Sequence, residues 1–326
     1  MAGRHCLVST IITTYERPQF VTRTLSNLLR QAYRPLEILV VDDGSSEATA
    51  NAVLSWRDTH KPDPDFKLHY HWQKNQGPAS ARNTGIRASS GGLIHFLDDD
   101  DLLDADALAH LAAALDPTEA AIGMASYRNW PCGGLLDPIK HPVSMSRHRR
   151  LRAMLAGRWF VPLHGYLFTR PALDLIGPWN PALTSQEDDE FLLRAALADV
   201  TFKCVPKARV YYCHHHGFRR SVPGKPGETA TQGTISRMYD DLHIRETLFA
   251  TLKKGGNIND YRASFWLWQQ RFQQRYAQLK RDPRLSSDFL NWLKSLGEHR
   301  SSRALLLRRR QSFVSDEPQS PTWRTA

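Results

Sequence analysis

Cysteine is scarce in this chain: four in 326 residues (Cys6, Cys132, Cys204 and Cys213), widely spread and with no CxxC pair. That excludes a disulfide-stapled secreted scaffold and a paired-cysteine zinc site, and suits a reducing compartment. No apolar run approaches the roughly 20 residues of a membrane span. The opening MAGRHCLVSTIITTYERP has too short an apolar core and no small-residue cleavage signature for a signal peptide. The expected location is therefore cytoplasmic. Both common phosphate loops are missing, since no GxGxxG follows the first strand and no GxxxxGK precedes Ser or Thr anywhere. Phosphate would have to be held through a metal. Acids are lacking between Glu298 and Asp316, while Arg300, Arg303, Arg308, Arg309 and Arg310 fall in that stretch. These arginines supply much of a net charge of +10 and suit a nucleic acid or an anionic bilayer. No aromatic-interleaved basic motif of a nucleic-acid module is present, so no nucleic-acid partner is expected.

What is present centres on LIHFLDDDDLL, Leu93 to Leu103. An apolar run typical of a buried strand ends in four consecutive carboxylates, Asp98 to Asp101. Ligands of open α/β sheets sit at the carboxyl ends of their strands. Four adjacent like charges need a cation, and Mg²⁺ or Mn²⁺ bound to phosphates is the natural candidate. The other possibility is a solvated turn, with Asp104 capping the next helix. An EF-hand is excluded, because the positions needing Gly and the closing Glu hold Leu103 and Ala109.

Before that run the chain alternates. Leu7 to Thr13 predicts a strand, Phe20 to about Gln31 an amphipathic helix, and Leu36 to Val41 a second strand ending in Asp42-Asp43-Gly44-Ser45-Ser46. Leu68 to Trp72 predicts a third strand and Ala79 to Ala88 a short helix with Arg82 and Asn83. This pattern predicts a parallel doubly wound sheet.

Further on, strands are expected at Ala121 to Tyr127, Trp159 to Thr169, Thr201 to Val205 and Ala208 to Tyr212, with a Gly/Pro-rich loop over 131–142. Trp179, in a Gly-Pro-Trp-Asn-Pro turn, is a candidate exposed platform for an acceptor sugar; the alternative is a plug at the domain edge. Glu187, Asp188, Asp189 and Glu190 open a predicted helix capped by Ser185. The helix dipole favours acids in a first turn, yet four exceed that need, and one is a candidate general base. One of the tandem histidines 214–216 is a candidate metal ligand.

Taken together these segments resemble family 2 of the nucleotide-sugar glycosyltransferases, which have the GT-A fold. The likeness spans about residues 6 to 221 and rests on VSTIITTYERP, VVDDGSS, NQGPASARNTGI, FLDDDDLLDADAL, QEDDEFLLR and YYCHHHG, in that order. The resemblance implies an α/β, Rossmann-like, mostly parallel sheet flanked by helices. It implies nucleotide-sugar contacts from Thr13, Tyr15, Asp43, Arg82, Asp98 and Asp99, metal contacts from Asp98, Asp100 and His215, and catalysis by Asp188 with Glu187. The implied activity is transfer of a sugar, with inversion, from a nucleotide-diphosphate donor to an acceptor hydroxyl, in surface polysaccharide or glycolipid synthesis. The acceptor would be a carbohydrate or lipid-linked. A sugar-phosphate nucleotidyltransferase and a basic nucleic-acid-binding protein are the alternatives.

The expected organisation is a catalytic domain over 1–230, with a donor half 1–120 and an acceptor half 121–230. A helical extension over 231–311 and a disordered tail over 312–326 would follow. The extension and its arginines are expected either to cap the domain or to dock on the inner face of the cytoplasmic membrane.

Overall fold

The computed structural model describes residues 6–131, 134–214, 230–276, 286–298 and 323–325. Four parallel strands form one half of the sheet: β1 (Val8–Thr14), β2 (Leu36–Asp42), β3 (Phe66–Trp72) and β4 (Leu93–Asp98). Their order is β3-β2-β1-β4, and the connecting helices are α1 (Pro18–Leu29), α2 (Glu47–His60) and α3 (Pro78–Ala88). Strand β2 is buried along its whole length, as a parallel strand covered on both faces should be. The register sets Thr13 opposite Val41 on one side and Asp98 on the other. The carboxyl ends of β1, β2 and β4 therefore share one edge, and the polar turns that follow them meet there.

Beyond β4 the sheet reverses direction. β8 (Tyr166–Thr169) runs antiparallel to β4, β6 (Ala121–Trp130) antiparallel to β8, and β9 (Thr201–Cys213) parallel to β6. The two late strands expected from sequence are one, with an irregularity opposite Ala125 and Ser126. Of the segment Trp159 to Thr169, expected as strand, only the last four residues pair; Leu163–Gly165 form a 3₁₀ turn. The 131–142 loop ends in a short strand, β7 (Lys140–Pro142), beside β6. β5 (Leu102–Leu103) pairs with β9 and carries the chain from the acidic run into α4 (Ala107–Ala113). Asp104 does not cap α4 with its side chain; its carboxylate accepts from the Tyr211 hydroxyl at 2.6 Å.

Helices α5 (Arg147–Leu155), α6 (Arg170–Ile176) and α7 (Glu187–Leu197) cover this second half. The extension contains α8 (Ala230–Lys254), α9 (Arg262–Tyr276) and α10 (Ser287–Glu298). Its Leu242, Phe249, Phe265, Trp268 and Phe289 belong to the same buried cluster as the sheet. Three tail residues form β10 (Trp323–Thr325), antiparallel to β7. The arginines at 300–310 lie outside the described residues. No helix among the described residues is long and apolar enough to cross a membrane.

Candidate active site

The four carboxylates at the end of β4 are each matched by a basic side chain of the protein. Asp98 Oδ1 accepts from Arg82 at 3.0 Å. One Arg17 nitrogen serves both Asp99 Oδ1 at 3.0 Å and Asp100 Oδ2 at 2.9 Å. Asp101 Oδ2 lies 2.9 Å from His164 Nδ1, and its Oδ1 accepts from the Cys213 backbone at 2.8 Å. The repulsion that made the run conspicuous in sequence is thus offset by side chains from β1–α1, α3 and the 3₁₀ turn. Arg17, His164 and Thr14, whose hydroxyl donates to Asp99 Oδ2 at 2.7 Å, escaped the sequence reading because no local pattern marks them.

Depth separates the four. Asp99 and Asp101 are buried, whereas the Asp98 side chain is 42% exposed. Burial first, then the charge of Asp100, pushes Asp99 up to about 7 against the opposing pull of Arg17 and Thr14. Burial also raises Asp101, although His164 pulls it down; that partner raises His164 in return, against the lowering effect of its own burial.

Arg82 joins the two acidic clusters. Its buried guanidinium donates to Asp98 at 3.0 Å and to Glu187 Oε1 at 3.1 Å, and it lies 4.7 Å above the Trp179 ring. Segments 105 residues apart thus meet at one cation. Asp188, half-buried beside them, is pushed up to about 7. Burial is the main cause, followed by the charges of Asp189 and Glu187, with Arg82 opposing. A carboxyl group of that kind is ionised just above neutrality and basic enough to take a proton.

Trp179 is not an exposed platform. It is fully buried, stacked at 4.0 Å on Phe191 and edge-on to Phe96 at 5.1 Å. The domain-edge plug is the arrangement found: Asn83 brackets its backbone, donating to Trp179 O at 2.9 Å and accepting from its N at 2.8 Å. The half-exposed aromatics lie elsewhere. Trp130 and Phe160 flank β9, with Phe160 5.9 Å from Tyr212 and Trp130 5.9 Å from Tyr211.

On the other side, Asp43 binds its own loop. It accepts from Gln73 at 2.7 Å and from the backbones of Gln76 at 2.9 Å and Gly77 at 2.8 Å. This ties the turn after β2 to the start of α3. Gly44, at φ 93°, makes that turn, and a side chain there would collide with the Asn75 backbone at 2.7 Å. Thr13 is half-buried and Tyr15 is 52% exposed at the mouth of β1. Glu16, at φ 53°, bonds Ser46 through its carboxylate. Ser46 is therefore engaged with Glu16, and it makes no side-chain cap on α2. His215 lies outside the described residues.

Among the described residues no three His, Cys, Asp or Glu side chains converge as a metal cage. Magnesium-type cations need no such cage where phosphates and water complete the shell; one or two carboxylates suffice. The hard oxygen donors of Asp98 and Asp100 at the strand mouth fit that requirement.

The family model for "Glycosyl transferase family 2" matches residues 9–173, half of the chain. Among curated proteins, an uncharacterized glycosyltransferase of Rickettsia bellii is 38% identical over 99 residues, 30% of this chain and 14% of that protein. The GalNAc(5)-diNAcBac-PP-undecaprenol beta-1,3-glucosyltransferase of Campylobacter jejuni is 34% identical over 104 residues, 32% of this chain and 33% of that one. The match thus spans about a third or less of these relatives' lengths. Among solved structures, S. aureus TarS 1-349 in complex with UDP-GlcNAc superposes with a TM-score of 0.55 at 18% identity, covering 94% of this chain and 92% of that one. The Pyrobaculum calidifontis mannosyltransferase PcManGT in complex with GDP-Man and Mn²⁺ gives 0.51 at 19% identity, covering 97% and 89%. At such identities these two show the fold alone: the α/β GT-A architecture.

Proposed function

Because the chain belongs to glycosyl transferase family 2, we propose that it moves a sugar from a nucleotide-diphosphate donor to an acceptor hydroxyl with inversion. The observation that carries this reading is Arg82, which holds the acidic run of the donor half against the acidic helix of the acceptor half. In the proposal Thr13, Tyr15 and the Asp43 turn face the nucleoside, while Asp98 and Asp100 face the diphosphate. A divalent cation, Mg²⁺ or Mn²⁺, would be held by Asp98 and Asp100, with His215 as a further candidate ligand, and would neutralise charge on the departing diphosphate.

Asp188 removes the acceptor proton as the hydroxyl attacks the anomeric carbon, whose transition state is oxocarbenium-like. Glu187, fixed on Arg82, keeps that carboxylate basic by its charge. With Trp179 in the core, the acceptor platform passes to Phe160 and Tyr212, 5.9 Å apart, where the apolar face of a sugar ring can stack. The acceptor class is a carbohydrate or lipid-linked glycan of surface polysaccharide synthesis.

The test is a panel of nucleotide sugars assayed with and without Mn²⁺ or Mg²⁺, scoring nucleoside diphosphate release and product anomeric configuration. Metal-dependent release with inversion is expected. Asp188→Asn should lower turnover by about 10²-fold or more while donor affinity holds. Pyrophosphate released from a nucleoside triphosphate and a sugar phosphate would instead make the protein a nucleotidyltransferase.

A further inference from the structure

The turn that aims the acidic helix is held from outside the catalytic domain. Gln186, immediately before Glu187, adopts a left-handed backbone at φ 57°, which a residue with a side chain sustains only where its surroundings enforce it. Ser185, the cap expected from sequence, is not at the cap position; Gln186 is, and it makes no side-chain cap bond. Ser185 turns the other way, to Asp240 on α8 of the extension.

Asp240 Oδ2 accepts from the Thr184 backbone at 3.1 Å and hydroxyl at 2.7 Å, and from the Ser185 backbone at 2.9 Å and hydroxyl at 2.9 Å. Gln186 Nε2 adds a bond to Arg237 O at 3.3 Å, one turn earlier on the same helix. Five donors from three consecutive residues thus converge on one turn of α8, and four of the bonds are strengthened by the carboxylate charge. α8 is itself anchored one residue on: Asp241, paired with Arg245 of the same helix at 3.0 Å, accepts from the buried Trp268 indole of α9 at 2.6 Å. The hold on residues 184–186 therefore passes rigidly into the core of the extension.

We propose that Asp240 is a positioning residue for the reacting carboxylates Glu187 and Asp188, so that the helical extension belongs to the catalytic apparatus. This rests on the base assignment made above. Asp240 touches no reacting atom; it fixes the turn from which α7 starts, and so sets where the base stands relative to the anomeric carbon. Errors of about 1 Å in such placement lower rates by up to about 10²-fold.

In the full-length enzyme, Asp240→Asn keeps the size of the side chain and removes its charge. Expected is a kcat lowered roughly 10- to 100-fold with donor KM essentially unchanged, since the donor half is untouched. Hydrogen–deuterium exchange over residues 184–190 should lose protection. Placed on Asp188→Asn, the same change should add almost nothing, because two residues acting through one base are not additive. Thr184→Val with Ser185→Ala removes two of the donors while leaving α8 intact; it should show the same split to a smaller degree, and it replaces Asp240→Asn should that variant not fold. Unchanged kcat and unchanged exchange, parallel changes in kcat and donor KM, or full additivity with Asp188→Asn would each overturn the proposal. Should the wild-type protein release no nucleoside diphosphate at all, the functional reading fails, and the exchange measurement still decides whether Asp240 fixes the turn.

Discussion

Asp188 combines two properties that a proton acceptor needs, a location beside the Arg82-bridged acidic clusters and an affinity for protons near neutrality. Its ionisation sets the sign of the pH response. Its carboxyl is pushed up to about 7, so if Asp188 is the base proposed above, kcat/KM should rise with pH through that value and then level off. Glu187 is one of the charges that raise it. Glu187→Gln removes that charge and frees Arg82 to draw on the remaining carboxylates, and both effects favour the ionised form. The rising limb of kcat/KM should therefore move to lower pH in Glu187→Gln. Asp99 also sits near 7, so Asp99→Asn is the control: whatever it does to the rate, the limb should stay in place. A limb that moves with Asp99 and not with Glu187 would give the controlling ionisation to the acidic run after β4. Residues of this kind were legible because carboxylates at a strand end or a helix start are local patterns. Trp179 was not: what buries it is Phe96, Phe191 and Arg82, all remote in sequence.

At the scale of elements, the alternation up to β4 was readable because buried parallel strands are continuous apolar runs and the helices between them are amphipathic. Past β4 the signal weakens: β9 merges two expected strands across an irregularity, and the segment before β8 is a 3₁₀ turn. Family likeness fades in the same region, since the family match ends at residue 173, before α7. The parallel half of the sheet depends on a close approach of α3 to β1. A side chain at Gly85 would place its Cβ 2.3 Å from Ile11 Cγ2, and Ile11 is fully buried. Gly85 lies one turn after Arg82 on α3, so pushing the helix away also shifts the cation that joins the two acidic clusters. Gly85→Ala should destabilise the protein by about 1–3 kcal/mol, read as a lower melting temperature, and should lower activity. Ile11→Ala, which removes the colliding atoms, should recover part of that loss in the double variant. Simple addition of the two losses would mean that the cost of Gly85→Ala does not arise from its approach to Ile11.

For the whole molecule the question is whether the extension is an appendage or part of one cooperative unit. Sequence suggested a boundary near residue 230, because the texture changes there from alternating elements to long aromatic-striped helices. Among the described residues, contacts of the extension run across that boundary. Besides the Asp240 bonds, α5 meets the segment before α9: His148 Nδ1 lies 2.8 Å from the Tyr261 hydroxyl, and Arg152 donates to the Asp260 carbonyl at 2.9 Å. Apolar side chains of the extension, Leu242, Phe249, Phe265 and Trp268 among them, are buried to within a few per cent and continuous with the sheet's core. Each such side chain contributes about 1.5–3 kcal/mol, against a total stability of roughly 5–15 kcal/mol for a domain. Part of that burial is within the extension itself, where Phe249 packs on Phe289 and Trp292, and the part shared with the sheet's cluster would be lost on opening the boundary. The full-length protein should show a single calorimetric transition, with van't Hoff and calorimetric enthalpies in agreement. Protection from hydrogen exchange in α8 and in α7 should be lost together in that transition. A first transition in which α8 to α10 melt while the sheet stays protected would return the extension to the status of an independent module. The hold on the acidic helix would then be one that the enzyme can release.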